Sequence, residues 1–114
     1  MGQRFTVVSA YQIMWVWALF DLPVTTPLER KRATRFRKDL LDMGFEMVQF
    51  SVYTRFSASK RRAEALAKRV GALVPPDGKV DILFFTDKQY ELIQSYRGQS
   101  SRSNRSKPAQ LELF

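Results

Sequence analysis

The sequence predicts an α+β fold in which helices pack on one face of a single sheet. Three observations predict it. Met14 to Phe20 is a continuous apolar run of strand length. Two later segments repeat apolar residues at spacings of three and four, which marks amphipathic helices. Between them lies a stretch of period two, and after them a second apolar strand. At 114 residues, with 45% apolar and 13% aromatic, the chain can bury one core and is sized for one domain.

Each element has its own signal. Pro23 stops the first strand. Thr26-Pro27-Leu28-Glu29 then reads as a helix start, with Thr26 as N-cap, Pro27 in the first helical position and Glu29 closing a capping box. That helix runs to about Met43, where Gly44 ends it. Ala33, Phe36, Leu40 and Met43 form its buried stripe, with Lys31, Arg35 and Lys38 opposite. From Phe45 to Phe56 the residues alternate. Val48, Phe50, Val52, Thr54 and Phe56 fall on one side; Met47, Gln49, Ser51, Tyr53 and Arg55 fall on the other. No hairpin signal stands inside this stretch, although a bulge or bend could split it. Ser57 or Ser59 opens a second helix ending near Leu73, with Ala63, Leu66, Val70 and Leu73 inward. Pro75-Pro76-Asp77-Gly78 is a turn, and Val80 to Phe85 is a strand. Asp87 to Tyr96 reads as a short helix with Leu92, Ile93 and Tyr96 inward. With the long middle strand divided in two, the order is βαββαβ, the ferredoxin-like arrangement.

This divides the chain into an N-terminal extension (1–12), a ferredoxin-like domain (13–97), a polar linker (98–108) and a short C-terminal strand (109–114). The apolar run from Ile13 to Phe20 is far shorter than the ~20 residues of a membrane-spanning helix, so no membrane role is expected. The segment Ala109 to Phe114 alternates, and Leu111, Leu113 and Phe114 would dock it on a sheet edge of its own chain or of a partner.

Charge and missing residues narrow the function. The net charge is +8, from 19 Lys+Arg against 11 Asp+Glu, so a polyanionic partner is expected. Six basic residues crowd the first helix: Arg30, Lys31, Arg32, Arg35, Arg37 and Lys38. Lys60, Arg61, Arg62, Lys68 and Arg69 lie on or near the second. Such faces track a phosphate backbone without reading bases. The sequence has no cysteine and no histidine. That excludes disulfides, thiolate zinc sites and cysteine- or histidine-dependent hydrolysis, and it fits a reducing cytoplasm. Hydrolytic chemistry would need carboxylates, lysines or a metal held by oxygen ligands.

Asp21 is the carboxylate to explain. It ends the most apolar strand, just before a helix start, where ligands of α/β units commonly bind. A carboxylate there can hold Mg²⁺, which takes one or two protein carboxylates and leaves its other positions to water and phosphate. An aspartate in that place can equally cap a turn. Asp39, Asp42 and Glu64 fall on helix surfaces, Asp87 reads as a helix cap, and Asp81 stands out inside an apolar strand.

The segments FDLP, ERKRATRFRKDLLDMGFEMVQFSVYTRF and FFTDKQY together resemble the CRISPR-associated Cas-two family, in its type II branch. The resemblance runs from about Met14 to Tyr96, and Gly44-Phe45 followed by Met47-Val48-Gln49-Phe50-Ser51-Val52-Tyr53 is its most specific piece. It implies a symmetric homodimer that bridges Cas-one integrase subunits and lies along prespacer duplex DNA during spacer acquisition. It also implies a Mg²⁺-dependent endonuclease acting on RNA or DNA, with Asp21 as catalytic and metal-binding acid, one ion being shared by both protomers. Arginines early in the first helix act in nuclease members, and Arg30 and Arg32 are the nearest matches. The loop from Leu22 to Thr26 is longer than in many members. The resemblance further implies that the C-terminal segment pairs across the dimer or against the integrase. Outside this family, the competing reading is a non-catalytic ferredoxin-like RNA-binding module. It would need exposed aromatics on the sheet; Tyr53 is the candidate, its face otherwise suiting a dimer or partner interface.

Overall fold

The computed structural model describes residues 13–99. The N-terminal extension, most of the linker, and Leu111, Leu113 and Phe114 lie outside the described residues. The elements run β1 (Met14–Asp21), α1 (Pro27–Asp42), β2 (Glu46–Gln49), β3 (Val52–Ser57), α2 (Lys60–Ala72), β4 (Lys79–Thr86) and α3 (Asp87–Glu91). The four strands form one antiparallel sheet in the order β2-β3-β1-β4. Both crossovers, through α1 and α2, place their helices over the same face. This is the ferredoxin-like βαββαβ arrangement.

Local chemistry sets the helix ends. Thr26 and Glu29 form the expected capping box. The α1 chain leaves its last turn through Gly44 at φ +88, a conformation that suits glycine. Ser59 rather than Ser57 caps α2. The Ser57 hydroxyl instead donates to the Ser59 carbonyl.

The core lies between the helices and the sheet. Val16, Ala18 and Phe20 of β1 meet Phe36 and Leu40 of α1 and Ala63, Leu66 and Val70 of α2. Phe20 packs edge-on to Phe36, with ring centroids 5.1 Å apart. The other face of β1 carries Trp15, Trp17 and Leu19, with Val52 and Phe56 of β3 and Leu83 and Phe85 of β4 beside them in register. No helix of the ferredoxin-like core covers this open face. At one end α3 covers Trp15: Tyr90 stacks on the indole at 3.9 Å, and the indole N–H donates to Asp87 at 2.9 Å.

Several expectations need correction. The middle stretch is a hairpin, β2 and β3, turning at Phe50 and Ser51 with a bulge between Met47 and Gln49. The bulge breaks the alternation, so Gln49 pairs with Val52 and joins its face. The core side of β3 carries Tyr53, not the apolar set Val52, Thr54 and Phe56, because Tyr53 pairs with buried Ala18. Tyr53 is 3% exposed and packs on Phe20, which removes it from partner docking and from base stacking. Asp87 is not the N-cap of α3; Thr86 is, and Asp87 serves the Trp15 indole. The last helix stops at Glu91, leaving Leu92, Ile93 and Tyr96 exposed. Leu73 is also partly exposed, as the cap residue at the end of α2.

Candidate functional site

Asp21 sits where the sequence places it, at the exposed end of β1. The antiparallel register puts Lys79 directly opposite Asp21, and Asp81 opposite Leu19. All four side chains therefore stand on the open face, with Asp21 and Asp81 diagonal neighbours across one strand pair. Lys79 bonds Asp81 at 3.5 Å. Asp21, Lys79, Asp81, Ser51 and Val52 line a shallow cleft of ≈ 290 Å³ at the rim of the apolar open face.

The donors fit a hard cation in type and number. One or two carboxylate oxygens with water and phosphate completing the shell suit Mg²⁺, and the sequence has no histidine or cysteine to favour a softer metal. Among the described residues no group of three or more acidic side chains gathers into a larger metal site. Asp81 is the acid that spacing alone did not assign here. Its signal was a charged residue within an apolar strand, and the register with β1 gives that signal its meaning.

The structure separates the basic residues that sequence crowding had grouped. Arg30 of α1 donates to the Val24 and Thr25 carbonyls and so ties down the loop after β1. Arg35 pairs with Asp39 at 3.3 Å and Lys38 with Asp42 at 3.9 Å. The Arg37 guanidinium lies 4.5 Å above the Phe50 ring. Lys31 and Arg32 are exposed and enter no ion pair among the described residues. On α2 the balance differs. Lys60, Arg61, Arg62, Lys68 and Arg69 are all exposed, and none of them enters an ion pair among the described residues. The helix with fewer basic residues thus carries more uncompensated charge.

Known proteins agree with this architecture. The family model described as CRISPR associated protein Cas2 matches residues 14–93. A relative from Paracidovorax avenae, named CRISPR-associated endoribonuclease Cas2, is 47% identical over 95% of this chain and all of its own length. Relatives of the same name from Parvibaculum lavamentivorans and Flavobacterium psychrophilum are 50% identical over 89% of this chain and 41% identical over 98% of it; the matches span 100% and 97% of their own lengths. A solved structure described as a crystal structure of Cas2 superposes with a TM-score of 0.53 at 28% identity, over 77% of this chain and 92% of that one. The family match runs from β1 through α3, and the chain belongs to the Cas2 family of CRISPR-associated proteins.

Proposed function

We propose that the chain is a CRISPR adaptation protein of the prokaryotic cytoplasm that works as a homodimer. The dimer holds prespacer duplex DNA and bridges Cas-one integrase subunits during spacer acquisition. It also carries a Mg²⁺-dependent endonuclease site at Asp21. The nuclease assignment rests on family membership and on the endoribonuclease name of the relatives.

The observation that carries the reading is the placement of Asp21. It is an exposed carboxylate on the rim of an open, apolar sheet face. Trp17, Leu19, Val52, Leu83 and Phe85 on that face are only half-buried in the single chain. A second copy is the simplest cover for such a surface, and a two-fold contact there repeats each rim carboxylate around the axis. A bound Mg²⁺ would supply Lewis-acid polarisation of a phosphodiester. The chain itself supplies anionic oxygens at Asp21 and Asp81, a tethered cation at Lys79, and an apolar floor that limits water. The basic α2 surface lies on the opposite side of the sheet and supplies sequence-independent attraction to a phosphate backbone.

The test compares wild type with Asp21→Ala, after light scattering has established the state of both. Spacer acquisition is scored in cells with the cognate locus, and RNA and duplex DNA cleavage is scored with Mg²⁺ and with EDTA. Loss of Mg²⁺-dependent cleavage in a variant that still associates and binds duplex supports the nuclease site. Acquisition that survives in the same variant makes scaffolding the main role. A monomeric wild type that prefers single-stranded RNA and cleaves nothing refutes the proposal in favour of the non-catalytic RNA-binding module.

A further inference from the structure

A cavity of ≈ 380 Å³ opens between α2 and the end of β3, on the helix side of the sheet. Arg55 enters it from β3, and Arg62 and Arg69 enter from α2. The latter two are seven residues apart, two helical turns, and so share one face. Ser57 adds a hydroxyl, Ala65 leaves room, and Leu66 forms part of the wall. No acidic residue lines the cavity, and none of the three arginines enters an ion pair among the described residues.

Arg55 is held in place. One of its guanidinium nitrogens donates to the Met43 carbonyl at the end of α1. The chain then passes Gly44, where an added Cβ would sit 3.4 Å from the Arg55 side chain. One cation is therefore fixed before any ligand arrives, while the other two stand on exposed helix positions. A second basic cavity, between α1 and the Pro75-Pro76 turn, differs in one respect. It contains Asp39, which already neutralises Arg35. The Arg55 cavity has no such internal counter-ion.

We infer that Arg55, Arg62 and Arg69 form a phosphate-binding notch that seats one phosphate group of a nucleic acid strand. Guanidinium groups bind phosphate through charge-assisted, often bidentate hydrogen bonds, and a cavity lined by three arginines and no acid suits a multiply charged oxyanion. The notch stands apart from the Asp21 site. Ser57 pairs with Met14 at the start of β1, whereas Asp21 ends the same strand. Seven residue steps along the strand separate the two by about 23 Å, and they lie on opposite faces of the sheet. The inference rests on the proposed nucleic-acid function and gives it a second, separate point of attachment.

The test measures duplex DNA binding by fluorescence anisotropy across a salt series, using the full chain. Arg62→Gln/Arg69→Gln removes two notch cations. Arg61→Gln/Lys68→Gln removes the same charge from α2 outside the notch. The notch pair is expected to weaken binding by roughly tenfold or more and to lower the salt slope by about one contact per notch, at ~0.9 per contact. The outer pair is expected to cost less than about threefold. Equal losses from the two pairs overturn the notch and leave only a diffusely charged helix. If wild type binds no nucleic acid, the notch and the functional proposal fall together; if wild type binds but the pairs behave alike, the notch alone falls. Duplexes with and without 5′-phosphates distinguish the source of the group. A preference for the phosphorylated duplex that is lost in the notch pair assigns a strand end. Equal affinity with the notch loss retained assigns the internal backbone.

Discussion

Lys79 is a built-in competitor for any cation at Asp21, and its removal should strengthen metal binding. The residue stands opposite Asp21 in the β1–β4 ladder and bonds Asp81 at 3.5 Å. Cross-strand neighbours lie about 5 Å apart, which sets the scale for an ammonium beside a divalent ion. At that separation the repulsion is about 1.7 kcal/mol in bulk water. Both side chains are largely exposed, at 73% for Lys79 and 61% for Asp81, so the aqueous value is the right starting point. Screening at 0.1 M salt reduces it to about 1 kcal/mol. Lys79→Gln should therefore tighten Mg²⁺ or Mn²⁺ binding about fivefold at low salt. Titration calorimetry at about 0.1 M and 0.5 M salt reads both the gain and its screening, because the shorter Debye length at high salt should shrink the effect to about 2.4-fold. Asp81→Asn should move affinity the other way. An unchanged dissociation constant at low salt, or a gain that ignores salt, refutes the electrostatic account. Either result would place the ion away from this carboxylate pair.

Three further substitutions probe the frame around the site. Phe36→Ala empties the contact with Phe20 at the centre of the core, where Phe36 is 1% exposed. It should cost about 3–5 kcal/mol, read as a loss of more than about 12 °C in Tm at fixed protein concentration. Tyr53→Ala should behave as a core deletion, with a loss of comparable size in chemical denaturation. A variant that kept full stability and lost only self-association would restore Tyr53 to an interface. Gly44→Ala forces a side chain into φ +88 and towards Arg55 at 3.4 Å. It should cost about 1–2 kcal/mol in urea unfolding, and an unchanged midpoint would show that the turn relaxes freely.

The parts of the fold legible in the sequence were those where one residue's chemistry decides its own surroundings. Thr26, Pro27 and Glu29 announce a helix start because the orphan amides of a first turn need such partners. Phe36 and Leu40 announce the buried stripe by spacing alone. The middle strands were less legible. Alternation assigns residues to two faces but not to core or solvent, and here both faces are partly apolar. Only the pairing of Tyr53 with Ala18 settles which side meets the helices. The bulge before Gln49 has no sequence mark, since it answers to the partner strand. The candidate site divides in the same way. Asp21 was legible from its position at a strand end. Lys79 and Asp81 were not, because their relation to Asp21 is a matter of register across 58 residues of chain.

The charge pattern carries the same lesson to function. Sequence density alone does not choose between the helices, although the lysines and arginines of α1 outnumber those of α2. Density is a poor guide once each cation is followed to its partner. Arg30 braces a loop, Arg35 and Lys38 pair along their helix, and Arg37 covers Phe50. Exposed pairs of this kind are weak individually, yet a phosphate must displace or share each of them. On α2 no such competition exists among the described residues, and Arg55 reaches the same surface from β3. The two faces of the sheet therefore have distinct chemistry. The open face offers apolar area with carboxylates at its rim, which suits a second copy and a cation. The helix face offers uncompensated guanidinium groups, which suit phosphate. With both on one face, Asp21 and Asp81 would repel a duplex held along the proposed phosphate surface. On the proposed function, separating them by the thickness of the sheet keeps a duplex on the helix face and a second copy on the open face from opposing each other.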